Sequence, residues 1–564
     1  MPARLTRRDL LRHAGLGAGA LSAASLFGGG SALAATTFAG EHATAVLKLA
    51  NVRFRSLADE LLLGSFDDTH AIPGKGLVEL LLWPGDQQRL DALGLDYEIT
   101  CSDVVKRDQA AHLATAGARP SSVPEAPGER TAYRFIADYN ADMSALALQY
   151  PNLARSFVLP ERTLEGRFVY GIEIAADVTR NDGRPVYHMD GCHHSREWPA
   201  GEMPMMFAFD LLQGYGVDER TTDLLNRTRV VIVPVMNVDG FVESRGAAVD
   251  NSGTGVAPIV TMAYWRKNRR SFSNTTIPVI MKNADAYGVD PNRNYSYQWG
   301  DSDGGSSSTQ TDETHRGSAP FSEPESRNVA SLVLSRQTTG MLTHHTSGRL
   351  CMRPWGWTWD DSPDEQAHFE LGARMTEHNG YQNIKARGLY LTSGGSRCWT
   401  YGTTGSTVYT FEHCTSSQGF HASYGPTIPA LYNMNREPFF LLGGAAADPS
   451  THAILRGRIV DADGQPLAGT IAVTKTVANP AWFNGNGTAP GGVRTTNHTI
   501  ATSMDAGPDG AFDYHVNPSR RLWLEGGEDE AWQVTVSAPG RTSFTNSVVV
   551  GRGEVVDLGE VRLA

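Results

Sequence analysis

Cysteine is scarce: the 564 residues contain five, Cys101, Cys192, Cys351, Cys398 and Cys414, and no CxxC pair. That is too few for a disulfide scaffold, and it excludes a structural zinc site closed by cysteines. The odd number leaves at least one thiol unpaired in a single chain, and the sequence does not choose a pairing among the last four. Long apolar runs are missing beyond the first 35 residues, so no membrane span is expected in the mature chain. Single-sign charge blocks are missing too. The formal net charge of −12 is spread along the chain, which argues against a nucleic-acid surface.

What is present divides into units, because a chain this long exceeds one hydrophobic core. Arg7-Arg8 precede a Gly/Ala/Leu stretch that closes on the small residues Ala32-Leu33-Ala34. Residues 1–35 therefore read as a twin-arginine signal peptide, which implies a bacterial protein that is secreted or periplasmic. In residues 40–117, a β-rich run at 77–83 leads to Pro84 at a helix start, Gly94 at its end and a strand at 95–100, a small α+β unit. Residues 118–130 carry Pro120, Pro124 and Pro127 among polar residues and read as a linker open to a protease. In residues 131–448, apolar runs at 170–174, 185–189, 230–234 and 340–343 alternate with helix-like segments at 200–212 and 329–336. That pattern predicts an α/β fold, a mixed central sheet with helices on both faces. Residues 452–564 read as an all-β sandwich, opening with a strand, a tight turn at Asp463-Gly464 and a second strand at 470–473.

Chemistry concentrates in the middle unit. His193-His194-Ser195-Arg196-Glu197-Trp198 sets a carboxylate three residues after an imidazole, and His344-His345 follows far downstream at the end of an apolar run. Two ligands across a short spacer plus one from a distant strand make an open His/Glu/His set, which leaves a catalytic zinc a position for water. Chemistry alone leaves open which histidine of each pair binds, since a one-residue register change turns either inward.

The Gly191-to-Trp198 block resembles the HxxE signature of the zinc metallocarboxypeptidases of carboxypeptidase A/B type, and further blocks follow in the family's order. They are Pro234-Val235-Met236-Asn237-Val238-Asp239-Gly240-Phe241, Trp265-Arg266-Lys267-Asn268-Arg269 and Val289-Asp290-Pro291-Asn292-Arg293-Asn294, then the segments 343–356 and 390–399, then Tyr409-Thr410-Phe411-Glu412. The likeness covers roughly residues 130–445. It implies one zinc per chain on His194, Glu197 and His345, with Asp290 hydrogen-bonded to a ligand imidazole and Glu412 as general base. It further implies Arg266 at the oxyanion, Asn292 and Arg293 on the substrate's terminal carboxylate, Arg196 as a further cationic contact and Tyr390 closing over the bound end.

The implied activity is removal of C-terminal residues from peptides or proteins with a free C-terminus. Cell-wall peptides with D- or diamino-acid ends, and an inactive binding protein on the same scaffold, are the alternatives. By the same resemblance residues 40–117 are a prodomain covering the cleft, released by an activating protease, and residues 452–564 are a transthyretin-like domain. Three departures stand out. Ser347 replaces a tyrosine, Cys398 replaces an aspartate, and Arg397 occupies the base of the pocket for the substrate's last side chain, where a guanidinium favours Glu or Asp.

Overall fold

A computed structural model describes residues 46–72, 76–109, 130–247, 260–272, 288–301, 304–483, 492–519 and 530–564. The twin-arginine segment and almost all of the linker lie outside these residues.

The N-terminal unit is a four-stranded sheet in the order β2-β3-β1-β4, with β1 Lys48–Arg53, β2 Asp67–Ile72, β3 Leu77–Leu82 and β4 Tyr97–Cys101. Gly94 ends the helix Asp86–Leu93 in the left-handed region (φ 65°), a conformation glycine adopts without a Cβ penalty. Pro84 is not the first helical residue as its position suggests. It precedes the Gly85 cap, because Asp86 accepts a 2.9 Å hydrogen bond from Trp83 N and folds the turn back on itself. The strand-helix-strand pattern read from sequence omits β1, β2 and the helix Leu57–Leu63.

The middle unit holds an eight-stranded mixed sheet in the order β11-β10-β12-β9-β7-β8-β6-β5. Its strands are β5 Ala154–Val158, β6 Tyr170–Ile174, β7 Val186–Gly191, β8 Arg229–Val233, β9 Thr338–Thr346, β10 Leu350–Arg353, β11 Gln382–Lys385 and β12 Thr407–His413. The four central strands run parallel. Every residue of β7, β8, β9 and β12 is buried, as expected for strands covered on both faces. Helices Trp198–Gly214 and Tyr424–Ala447 pack against them. At the end of β7, Gly191 is required by close approach: a Cβ there would collide with the Ala200 carbonyl oxygen at the start of the next helix.

The C-terminal unit stacks a three-stranded sheet, β16-β13-β19, on a four-stranded one, β15-β14-β17-β18. The strands are β13 Ala453–Val460, β14 Thr470–Phe483, β15 Gly492–Asp505, β16 Ala511–Val516, β17 Trp532–Ser537, β18 Phe544–Val548 and β19 Val555–Arg562. The turn after β13 is present, closed by Asp461 N donating to Gln465 O at 2.8 Å. It does not make the hairpin read from sequence. β13 pairs with β16 and β19 while β14 crosses to the other sheet, since both strands have an inward face to bury in one core.

Candidate active site

The metal-type cluster forms where β7 and β9 end side by side. Gly191 aligns with His344 in the parallel register, and the chain after β7 turns so that His194 and Glu197 lie beside His345. His345 sits within β9 and not past it, because pairing with β12 continues to Thr346. Among the described residues, His194, Glu197 and His345 are the single group of three or more metal-type side chains, with one ligand atom from each within 4.8 Å of the others. His194 Nδ1 is 2.7 Å from Glu197 Oε1, His345 Nδ1 is 2.9 Å from Glu197 Oε2, and the two Nδ1 atoms lie 3.2 Å apart.

Burial opposes ionisation of Glu197, yet His194 and His345 outweigh it and hold the carboxyl well below its usual range. Burial likewise lowers the His345 pKa. A carboxylate and two imidazoles whose ligand atoms converge are the donor set zinc takes. The residues fit the metal.

Asp290 backs this cluster. Its Oδ1 is 3.2 Å from His194 Nε2 and its Oδ2 accepts from Arg266 Nη2 at 2.9 Å. Burial opposes its charge, but Arg266 and then His194 keep its pKa well below normal. A carboxylate on the outer nitrogen fixes which ring nitrogen faces the metal. Arg266 thus couples to the cluster through Asp290.

The partner histidines of each pair go elsewhere. His193 Nε2 is 2.8 Å from the Tyr295 hydroxyl and His344 Nδ1 is 2.8 Å from His413 Nε2. Burial draws His193 down to about 4 and His413 to about 3, so both rings are neutral at pH 7.

In front of the cluster lies a cavity of about 40 Å³ lined by His194, His345, Asn292, Arg293, Tyr390, Arg397 and Glu412, among others. Glu412 pairs with His345 in the parallel register of β12 and β9, so both side chains face the same side of the sheet. Asn292 is pinned by Asp290, which accepts from its backbone N at 2.8 Å, and by Ser396 N, which donates to its Oδ1 at 3.0 Å. Arg397 is 8% exposed and donates to Thr410 Oγ1 at 2.6 Å, its one side-chain partner among the described residues. Its guanidinium faces the cavity, and no carboxylate among the described residues is paired with it.

Arg196 is fully buried and paired, both Nη atoms reaching the Asp67 carboxylate on β2, with Nη2 to Oδ1 at 2.7 Å. Sequence reasoning missed Asp67 and also Glu60, which pairs with Arg387 at 2.8 Å and accepts from Leu391 N at 2.9 Å. Neither sits in a recognisable motif. Asn237, within the family-like block 234–241, is a tie: its amide donates to His193 O at 3.1 Å and Lys267 O at 3.0 Å.

A family model described as zinc carboxypeptidase matches residues 139–430, more than half of the chain. The chain belongs to the zinc carboxypeptidase family. It is 29% identical to carboxypeptidase O of Bos taurus over 44% of this chain and 62% of the relative, and 28% identical to carboxypeptidase B of Astacus astacus over 53% and 92%. The chain thus spans about three fifths of the carboxypeptidase O relatives it matches. Carboxypeptidase A from Helicoverpa armigera shares the fold, with a TM-score of 0.59 at 22% identity, covering 72% of this chain and 98% of that one. The mixed sheet and its helices are those of the carboxypeptidase family. Among the described residues no helix is long and apolar enough to cross a membrane.

Proposed function

We propose that this chain is a zinc-dependent exopeptidase that removes the last residue of peptides with a free C-terminus and favours Glu or Asp there. The observation that carries this reading is one cavity with His194 and His345 of the metal-type cluster, Glu412, Arg293 and Arg397 on its walls. Zinc, when bound, supplies Lewis acidity toward the scissile carbonyl and acidifies a water.

The remaining work falls to the chain's own residues. Glu412 takes the proton of the attacking water and passes it to the leaving amine. Arg293 and Asn292 hold the terminal carboxylate, for which arginine's planar fork is suited, so that only the last peptide bond reaches the metal. Arg266 contributes positive charge near the developing oxyanion while orienting Asp290. Tyr390 covers the bound end. Arg397 pairs with an acidic side chain in a partly desolvated pocket, where a charge-assisted bond is worth about 1.5–3 kcal/mol, roughly tenfold to over a hundredfold in discrimination.

The N-terminal unit restrains the enzyme in this reading, since Asp67 occupies Arg196 and Glu60 holds the segment leading to Tyr390. Cleavage in the linker by another protease then releases activity, and the twin-arginine segment directs export. The test is a panel of blocked dipeptides differing in the last residue, run with protein nicked in the linker. Cleavage should follow Glu over Leu and Lys, stop on chelation and return with added zinc, at about one zinc per chain. Activity in protein shown by elemental analysis to be metal-free, or no cleavage of any member, would sink the proposal.

A further inference from the structure

The groups that would receive a substrate's last residue lie on two short elements, the segment 292–299 and the helix Ser396–Thr404, which carries Arg397 and Trp399. Apart from one 3₁₀ turn at Pro291–Arg293, the first of these has no regular secondary structure to hold it. Both are backed by the β14–β15 hairpin of the C-terminal unit. Along β14 the inward face is Ile471, Val473 and Val477 in the sandwich core, then Asn479 and Ala481, which overrun that core and meet the middle unit. Asn479 Nδ2 donates to Thr403 Oγ1 at 2.8 Å, Gln298 N donates to Pro480 O at 2.8 Å, and Ala481 bridges Trp299.

On β15, His498 stands opposite Val477. Its Nε2 lies 2.7 Å from the buried Ser296 Oγ, and its ring meets Phe321 at 5.3 Å and Trp399 at 5.7 Å, both edge to face. One side chain thus touches the arginine-bearing segment three residues after Arg293 and the pocket helix two residues after Arg397.

We propose that His498 is a positioning residue for the substrate's C-terminal residue, which makes the hairpin part of the specificity apparatus. The inference rests on the activity proposed above. The Ser296 bond and two aromatic edges add to the segment's other ties, such as Tyr295 N to Gly394 O at 2.9 Å and Asn294 Nδ2 to Arg316 O at 2.9 Å, and a displacement of about 1 Å in such a clamp can cost up to 10²-fold. Because the clamp grips the substrate before and during reaction alike, its loosening raises KM more than it lowers kcat.

The experiment compares the full zinc-loaded chain, nicked in the linker, with His498→Ala, His498→Gln and Ser296→Ala on a Glu-ending peptide. His498→Ala should raise KM about tenfold with kcat within about twofold, and His498→Gln should recover most of the loss by restoring a polar partner for Ser296. Ser296→Ala should reproduce a smaller part of it. In parallel, amide hydrogen exchange over 292–299 in the intact chain should quicken in His498→Ala. Exchange needs no hydrolysis: a protein that cleaves nothing yet shows the exchange response refutes the activity, and with it the substrate role, while His498's hold on 292–299 stands. Unchanged exchange over 292–299, unchanged KM, or equal loss in the Ala and Gln variants with kcat falling as the folded fraction falls, would overturn it.

Discussion

The two flanking units grip the middle one by opposite chemistries. The N-terminal unit docks through ions aimed at the cleft: Asp67 on Arg196, both fully buried, and Glu60 on Arg387. The C-terminal unit docks largely through neutral hydrogen bonds behind the cleft, such as Gln337 Nε2 to Thr502 Oγ1 at 2.6 Å and Asn517 Nδ2 to Thr338 O at 2.7 Å, with Arg552 on Asp364 at its margin. A charged contact can be displaced by a ligand carrying the same charge. A neutral contact on the far side has no such competitor. In the reading proposed above, the difference separates a unit that leaves from one that stays.

Substitutions in the cleft itself set the scale against which either flank is judged. Glu412→Gln keeps the shape of the side chain and removes its proton acceptor, so turnover should fall by at least roughly 10²-fold with zinc content unchanged, measured by steady-state rates and elemental analysis. Near wild-type turnover would move the base elsewhere. Arg397→Ala should erase a tenfold to hundredfold preference for Glu over Leu at the C-terminus, read as the ratio of kcat/KM values. An unchanged ratio would refute the acidic pocket.

The flanks follow. Asp67→Asn removes the carboxylate that both Arg196 Nη atoms reach and leaves Glu313 as the remaining acid near that guanidinium, which costs up to about 3–5 kcal/mol of docking. The intact chain should then gain roughly tenfold in activity toward that of nicked protein while the C-terminal unit stays docked. Activity equal in intact and nicked wild-type protein would show that the N-terminal unit restrains nothing.

Smallest is the effect of acid, which should act oppositely on the two sides. His452 Nε2 lies 2.6 Å from His515 Nδ1 where the C-terminal unit begins, and burial lowers the pair to about 3 and about 4. The unfolded chain therefore binds more protons than the folded one between those values and about 6.5, so stability present above pH 6.5 is lost as pH falls below it, by up to roughly 2 kcal/mol per histidine at pH 5. In the N-terminal unit burial raises Asp86 and Asp108, and their contribution is fully present below pH 4 and lost as pH rises through the raised values. Urea unfolding at pH 7 and pH 5, with and without His452→Gln, reads the difference. Equal acid sensitivity in the variant would refute it.

How much was visible in the sequence follows from the range of the interactions. The central strands were legible because burial on both faces writes continuous apolar runs, and 170–174 was read to the residue. The cluster was legible because its spacing is a local constraint of ligand geometry. Asp67, Glu60, Ser296 and His498 were not, since each acts on a partner far along the chain and leaves no pattern near its own position. The long hairpin β14–β15 was read as four residues of strand because Thr474-Lys475-Thr476 and then Asn479-Pro480 interrupt the apolar pattern of β14, and β15 is mostly polar.

Beneath the charged contacts of the N-terminal unit lies an apolar seam. Leu350, Met352, Ala386 and Leu389 of the middle unit share one core with Ala50, Val52, Leu80 and Leu82. Cutting the linker severs the chain but not this seam, so the nicked halves should travel together through a sizing column until diluted or displaced. Once parted, the larger half carries a greasy rim beside its cleft, and its solubility and shelf life become those of a protein with part of its core on the outside.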